Sequence, residues 1–415
     1  MKKLSLTLVS LLVLVSLVLS ACGNENTTDT NDSTTNTTDT ANTEGTETTD
    51  QAPSGTEGPP DGGGPGGGGP GGGVTIPESV TDVAATMTKD TALPDVSACS
   101  TGTAAAQVAC LAQAFKATLT EEQISTLQYD MTADNAKVWS NLPINTTQRN
   151  GIMIGTLSAE SLEAFKALAY GALGQTGYET FRQLLYADEF LSASNSSMWD
   201  SNYYYVSFLG EPSDSSAWIL QIGGHHYASN ISYNAKATSS TPMFVGVEPL
   251  SFTAADGATY TPLAVRHDTM YDMLQSLSDE QTEAAKLSKT FDDVLVGPGK
   301  DSAFPTESEG VAVSELSADQ QALVKKAIEA WVNDTQSDIA NELLDVYLST
   351  ESLGQTNIAW SGSTELNTHA SYVRIDGPRV WIEFVCQNGI AFPNEIHYHT
   401  IWRDKVADYG GSFSS

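Results

Sequence analysis

Two groups of strands are predicted from the alternation of apolar and polar residues in the second half of the chain. The predicted strands cover residues 203–209, 217–233 and 243–247 in the first group and 371–375, 379–386 and 395–403 in the second. Gly377 and Pro378 separate two strands of the second group, and this pair indicates a hairpin turn. Gly223 and Gly224 interrupt the long strand 217–233, which we expect to bend there.

Helices are predicted where apolar residues recur every three or four positions. Four helix starts share a leucine followed by Ser or Thr, and in three of them Gln stands three residues further on, which is the capping-box pattern. The predicted helices cover residues 103–117, 120–130, 158–173, 177–193, 266–289, 317–333 and 336–349. Together with the strands they predict an α+β fold with a mainly antiparallel sheet or partial barrel and several capping helices.

The N-terminus has the pattern of a targeting segment. Lys2 and Lys3 precede an apolar run over residues 4–19, which is short for a membrane span and ends in small residues. The run closes with Leu19-Ser20-Ala21-Cys22, the lipobox pattern of a bacterial lipoprotein. We therefore expect residues 1–22 to be a lipoprotein signal peptide with Cys22 as the lipidated residue. The alternative is ordinary signal cleavage that leaves Cys22 as a free thiol.

Residues 23–74 have a composition that cannot form a packed core. They are rich in Thr, Asn and Asp and then in Gly and Pro, and no Lys or Arg occurs between Lys3 and Lys89. Such a segment is expected to be disordered and to serve as a tether; an acidic interaction tail is the alternative. Residues 75–415 are then one globular α+β domain, held in the cell envelope by a lipid anchor and facing outside the cytoplasm.

The formal net charge of −32 limits the classes of partner. Such a charge argues against nucleic acid, and against attachment to anionic lipid through a basic patch. The expected partners are the membrane, contacted through acyl chains, and a small-molecule or metal ligand. Of the three cysteines besides Cys22, Cys99 and Cys110 could form a disulfide, which would leave Cys386 as a buried thiol in a strand.

Four of the six histidines form two clusters in the predicted strands. His397 and His399 are two residues apart and project from the same face of a strand, with Cα atoms roughly 6.5 Å apart. That spacing suits two imidazoles that bind one metal ion. His225 and His226 are adjacent, so only one of them can join the first pair unless a bulge at the preceding glycines re-aims both.

Acidic and basic residues near the second cluster are further candidates. Glu383 points away from the apolar face of its strand and needs a partner if it is buried. Arg403 shares a face with His397 and His399, and with Asp404 and Asp408 it could hold the histidines in place. The alternative is that these three residues form an ordinary ion-pair network near the C-terminus.

The donor types indicate one transition-metal ion without distinguishing zinc, copper and iron. Two histidines and a carboxylate suit zinc or non-haem iron, and three histidines suit zinc or copper. The alternatives are a polar site without metal and separate structural histidines.

Several runs of the sequence together resemble the bacterial family catalogued as domain of unknown function 3500. They are Trp-Ile-Leu-Gln-Ile-Gly-Gly-His-His at 218–226, Thr-Pro-Met-Phe-Val-Gly-Val-Glu-Pro at 241–249, Arg-Ile-Asp-Gly-Pro at 374–378, Ile-Glu at 382–383, His-Tyr-His-Thr-Ile-Trp-Arg-Asp at 397–404 and Asp-Tyr-Gly at 408–410. The resemblance covers most of the region from about residue 100 to residue 410 and leaves the tether outside. It implies no reaction, but it adds Glu248 to the candidate site residues.

These observations predict a lipoprotein with a histidine-rich metal centre. In a metal-dependent hydrolase or oxidoreductase, the catalytic candidates are Glu383, Glu248 and Arg403, with either glutamate as ligand or base. One alternative is a non-catalytic lipoprotein that binds a metal or small ligand. Another is a purely structural envelope protein, in which the two histidine clusters would lie far apart. An enzyme requires an open metal position beside a cleft, whereas a carrier requires a closed or shallow site.

Overall fold

The computed structural model describes residues 76–88, 92–100, 102–193 and 198–413. The predicted signal peptide, Cys22 and the predicted tether lie outside the described residues. Within the described part of the chain, no helix is both long enough and apolar enough to cross a membrane.

One large open sheet organises the described residues. A separate two-stranded sheet contains β7 Phe252–Thr253 and β8 Thr259–Tyr260. The strands of the large sheet are β1 Gln128–Tyr129, β2 Ile152–Met153, β3 Tyr205–Leu209, β4 Trp218–Gly224, β5 Tyr227–Tyr233, β6 Met243–Val247, β9 Val311–Ala312, β10 Asn357–Ser361, β11 Tyr372–Asp376, β12 Val380–Asn388 and β13 Ile396–Asp404. The order in the sheet is β1-β3-β4-β5-β6-β13-β12-β11-β10-β9, with β2 beside β3, and β7 pairs with β8. Only the β1–β3 pair is parallel among these strands. The predicted α+β fold with a mainly antiparallel sheet is confirmed.

The two strand groups meet where β6 pairs with β13. Gly246 of β6 lies opposite His399 of β13, and β5 is the next strand beyond β6. This pairing brings the two histidine clusters to neighbouring positions in one sheet.

The prediction of a single strand over 217–233 is wrong. The chain reverses direction between β4 and β5, with Gly224 opposite Tyr227, so His225 and His226 form a two-residue hairpin turn. His226, the second residue of the turn, has a φ of 58° and therefore lies in the left-handed region, which is uncommon for residues other than glycine. The glycines thus precede a turn and do not bulge a continuous strand.

Ten α-helices are present in the described residues. They are α1 Val83–Thr88, α2 Ala104–Ala117, α3 Glu121–Leu127, α4 Ala133–Ala136, α5 Ala159–Ala193, α6 Ala264–Gln275, α7 Asp279–Ala285, α8 Ala318–Val332, α9 Ser337–Tyr347 and α10 Thr350–Gly354. The three predicted capping boxes are confirmed at Thr120, Ser278 and Ser317.

Two predicted helices extend beyond the observed ones. The helix predicted over 266–289 is wrong: it is divided into α6 and α7, because Ser278 caps a new helix. The helix predicted over 120–130 ends at Leu127, and β1 begins at the next residue. The break predicted between the helices 158–173 and 177–193 is present within α5 at Gly174, whose backbone is not helical and has a φ of 68°.

The two faces of the sheet are covered differently. Helices pack on one face, where Tyr398 and Trp402 of β13 belong to the larger apolar core. A smaller apolar cluster on the other face includes Ile401 together with Trp139, Leu287 and other residues of irregular segments. His397 and His399 alternate with Tyr398 along β13 and therefore lie on this second face.

The cysteines have distinct environments. Cys99 and Cys110 form a disulfide that joins a short turn to α2. Cys386 is a buried free thiol on β12, and burial raises its pKa to about 12. It is therefore protonated and unreactive at neutral pH.

Candidate metal centre

Three buried imidazoles lie close together on the second face of the sheet, the one covered by irregular segments. His226, His397 and His399 each offer one nitrogen, and these three atoms all lie within 4.8 Å of one another. The Nε2 atoms of His397 and His399 are 3.1 Å apart. Two imidazoles on a tetrahedral zinc ion would have nitrogens about 3.3 Å apart, given zinc–nitrogen distances of about 2.0–2.1 Å. The spacing of this pair therefore fits two ligands of one metal ion.

Regular backbone interactions place these side chains. His397 and His399 project from β13 on one face, as the strand alternation predicts. The turn residue His226 is held by its own amide, which donates to the Asn141 carbonyl at 2.9 Å. Its carbonyl accepts from the Gly246 amide at 2.7 Å, which ties the turn to β6.

Gly246 makes room for two of the rings. A Cβ atom on this residue would lie 3.0 Å from Cδ2 of both His226 and His399, and 2.7 Å from the carbonyl oxygen of Tyr398. Because those separations are shorter than ordinary contacts, the two imidazoles can come this close only beside a glycine.

His225 is not one of the three converging histidines. Its ring stacks on that of His226 with the centroids 3.8 Å apart. Its Nδ1 lies 2.7 Å from a carboxylate oxygen of Asp188, and the Tyr204 hydroxyl is 2.9 Å from the other Asp188 oxygen. Strand alternation predicts that only one residue of the pair joins the site. In the structure this residue is His226, and its position is set by the hairpin turn and not by strand alternation.

A carboxylate contacts His399 on the side of the ring that faces away from His397. The Nδ1 atom of His399 is 2.9 Å from Oδ1 of Asp293, which also accepts the Val294 amide at 2.7 Å. A carboxylate at this position fixes the orientation of the ring and leaves Nε2 to face the other histidines. Partial removal from water raises the pKa of the half-exposed Asp293, but the hydrogen bond and charge of His399 together with the Val294 amide outweigh this effect and lower that pKa overall.

Glu248 lies near the remaining nitrogen of His397. The distance from Glu248 Oε2 to His397 Nδ1 is 4.0 Å, and both side chains are 2 % exposed. The two oxygens of Glu248 accept the amides of Ile390 and Phe392 at 3.1 and 2.8 Å. His397 Nδ1 is buried, and the backbone of Asn388 also interacts with this imidazole, which raises the pKa of His397 against the larger effects of burial and His399. Glu248 is thus a carboxylate close enough to influence the orientation of His397.

Glu383 is placed on the predicted face, but it is engaged elsewhere. Its fully buried carboxylate accepts the amides of Leu295 and Val296 at 2.5 and 3.0 Å. It also accepts Trp381 Nε1 at 2.7 Å and the Tyr372 hydroxyl at 2.9 Å. Burial raises the pKa of Glu383 despite these four donors. The structure does not bring this carboxylate into the histidine group.

The predicted residues near the end of β13 also contact other groups. Arg403 donates to Asp408 at 2.7 Å and to Asp301 at 2.6 Å. Asp404 accepts from Arg379 at 3.1 Å and from backbone amides of the following turn. Within the described chain, none of the hydrogen bonds of Arg403, Asp404 and Asp408 reaches a histidine.

Sequence reasoning missed Asp188, Asp293 and Gly246. Asp188 belongs to α5 and Asp293 to an irregular segment, so no local pattern connects them to the histidines. Gly246 stands within the quoted Thr-Pro-Met-Phe-Val-Gly-Val-Glu-Pro run. A glycine inside a strand often marks a place where other groups approach closely, and this was the available signal.

Burial keeps two of the three imidazoles neutral. It lowers the pKa of His226 well below the usual range, and the neighbouring histidines add to this effect. Burial and then His399 lower the pKa of His397 to about 3. A neutral imidazole is the form that binds metal, so the site needs no deprotonation of these two residues at neutral pH.

These pKa shifts predict that the chelator-treated protein loses stability in acid. Between pH 6.5 and about 3 the unfolded chain protonates His397 while the folded protein does not, so the free energy of unfolding falls as the pH falls. His397 contributes up to about 1.4 kcal/mol per pH unit. Urea unfolding at several pH values should therefore show a shallower pH dependence for His397→Gln than for wild type. Equal slopes would contradict the assignment of a buried neutral His397.

The fold and the site define an α+β protein whose open, mainly antiparallel sheet carries three converging histidines. The chain belongs to the family described as Protein of unknown function (DUF3500), whose model matches residues 101–411. The match includes every strand of the large sheet and both histidine clusters. No curated protein and no solved structure matches the chain.

Proposed function

We propose that this protein is a lipid-anchored, extracytoplasmic metalloprotein that binds one transition-metal ion through His226, His397 and His399. The observation that carries the proposal is the convergence of one nitrogen from each residue within 4.8 Å. The three side chains come from a hairpin turn and a strand far apart in the sequence. Each is at most 7 % exposed, so their polar nitrogens are removed from water and need partners.

The ligand set supports zinc or copper over iron. The group contains three imidazoles and no carboxylate. Three histidines are a common zinc set and also suit copper, whereas non-haem iron centres commonly use two histidines and a carboxylate. Asp293 is hydrogen-bonded to His399, and Glu248 lies 4.0 Å from His397. Both carboxylates would raise the affinity of the site for a cation.

Three protein ligands support a metal-dependent enzyme. Structural zinc sites usually have four protein ligands, whereas catalytic sites have three and keep a position open for water or substrate. The bound ion would activate water or oxygen at that position, in a hydrolase or an oxidoreductase. The Asp293 side chain is 50 % exposed, so this carboxylate is accessible from solvent next to His399.

A metal or ligand carrier is the second candidate. It is favoured because the three imidazoles are almost completely buried, with at most 7 % of each residue exposed. A closed site of this kind would suit a protein that holds an ion for delivery to another protein.

Titration with zinc, copper and iron, in competition with a coloured chelator, tests the metal proposal. We expect one equivalent of zinc or copper to bind. If none of the three metals binds in a stoichiometric amount, the proposal is wrong. Adding azide to the cobalt-loaded protein then separates the two candidates: a change in the visible spectrum indicates the open position of an enzyme, and an unchanged spectrum indicates the closed site of a carrier.

The lipid anchor gives a separate prediction about location. The apolar run ending in Leu19-Ser20-Ala21-Cys22 supports lipidation of Cys22. We expect the wild-type chain in the membrane fraction and the Cys22→Ala variant out of it, because the acyl chains supply the membrane affinity. Cell fractionation and immunoblotting measure this, with Cys386→Ala as the cysteine control. Retention of Cys22→Ala in the membrane fraction would rule out this anchor.

A further inference from the structure

We infer that residues 286–310, here called the strap, are held on the sheet by Glu383 and Arg403, and that these two residues thereby position Asp293 behind His399. The strap connects α7 to β9 without a helix or strand of its own. Irregular segments of this length are uncommon in compact domains and are usually functional. The inference rests on the proposed function only where metal affinity is the readout.

Glu383 is the first anchor of the strap. Two of its four hydrogen-bond donors are strap amides, those of Leu295 and Val296, and the other two belong to the sheet. A fully buried carboxylate is tolerated only with such complete satisfaction of its oxygens. The strap backbone is therefore fixed two residues after Asp293.

Arg403 is the second anchor. Its guanidinium donates to the Val296 carbonyl at 2.9 Å and to the Asp301 carboxylate at 2.6 Å, both on the strap. The side chain is fully buried, so a guanidinium N–H that loses its strap partner is left without a hydrogen bond in the interior. These hydrogen bonds fix the strap at residues that follow Leu295 in the sequence.

Aromatic contacts hold the strap on both sides of the anchors. Phe291 stacks on Tyr372 of β11 with ring centroids 4.2 Å apart. Phe304 meets the edge of Trp381 of β12 at 5.6 Å. Asp293 lies between Phe291 and the residues bound by Glu383, so its backbone has little freedom to move.

The position of Asp293 matters because its side chain has few other contacts. In the described part of the chain, its hydrogen bonds go to His399 and to the adjacent Val294 amide. A half-exposed carboxylate of this kind would turn to solvent without the fixed backbone. Glu383 and Arg403 are thus positioning residues for the metal centre and do not touch the ion.

A double-mutant cycle in the full chain tests this coupling. We expect Glu383→Gln and Asp293→Asn each to weaken zinc binding by about 10–100-fold, the usual cost of losing a group that orients a metal ligand. The double variant should bind zinc no more weakly than Asp293→Asn alone, because Glu383 acts through Asp293. Asp376→Asn is the matched control: this buried β11 carboxylate pairs with Lys405 and does not contact the strap, so zinc affinity should stay unchanged.

A metal-free readout separates this inference from the proposed function. The proton shared by His399 Nδ1 and Asp293 should give a downfield proton NMR signal in the chelated wild type, and Glu383→Gln should abolish it. Absence of zinc binding by wild type would count against the proposed function, while the NMR signal would still decide the strap. If Glu383→Gln does not fold, Asp301→Asn replaces it, since this residue is 19 % exposed at the far end of the strap. A folded variant that keeps both the signal and wild-type zinc affinity, or losses that add in the double variant, would overturn the inference.

Discussion

Alanine in place of His226, His397 or His399 is expected to lower zinc affinity by at least about 100-fold, the upper end of the loss seen for groups that only orient a ligand. Each substitution removes one of the three proposed ligands and would leave too few imidazoles to hold the ion. Because the three nitrogens lie within 4.8 Å of one another, we expect all three histidines to be needed. Competition titration against a chelator of known affinity measures the effect.

Two other histidines serve as controls for that experiment. His369→Ala changes an exposed residue before β11 and should leave zinc affinity unchanged. His225→Ala removes the ring stacked on His226 and should weaken binding much less than loss of a ligand. Equal losses for His225→Ala and His226→Ala would contradict the assignment of the turn residues.

Gly246→Ala is expected to disrupt both the fold and the metal centre. The new methyl group would lie 3.0 Å from each of two imidazoles and 2.7 Å from the Tyr398 carbonyl, inside a closely packed pair of strands. Overpacking of this kind typically costs about 1–3 kcal/mol. Since the neighbours that must move are two candidate ligands, zinc affinity should fall together with the free energy of unfolding. Urea unfolding and zinc titration of the same variant measure the two losses.

Gly354→Ala is the matched glycine control. A Cβ at this helical position would meet no atom within 4 Å, so the variant should be as stable as wild type or slightly more stable. Its zinc affinity should be unchanged. Wild-type zinc affinity in Gly246→Ala would show that the space beside this glycine does not determine the site.

How well each part of the site could be predicted depends on how far apart the contacting residues are in the sequence. The shared face of His397 and His399 needs only the alternation of one strand, and the structure has that arrangement. Glu383 also lies on the face that strand alternation predicts, away from the apolar residues of its strand. Its partners, however, come from the strap, 87 and 88 positions away in the sequence, and no local pattern indicates them.

The hairpin at His225 and His226 shows a different limit. Two-residue turns are usually recognised by Asn-Gly or similar pairs, and two histidines give no such signal. The long apolar pattern around them therefore favoured one strand over two. Asp188 and Asp293 contact histidines 37 and 106 residues away, so only the assembled sheet and its covering segments bring them together.

X-ray absorption spectroscopy of the zinc-loaded chain tests the histidine centre most directly. The arrangement of His226, His397 and His399 predicts three imidazole nitrogens at about 2.0–2.1 Å and one further ligand that is not a protein side chain. His399→Ala should give no stoichiometric zinc. A coordination shell with fewer than three imidazoles in the wild-type protein, or one that contains sulfur, would contradict the proposed centre.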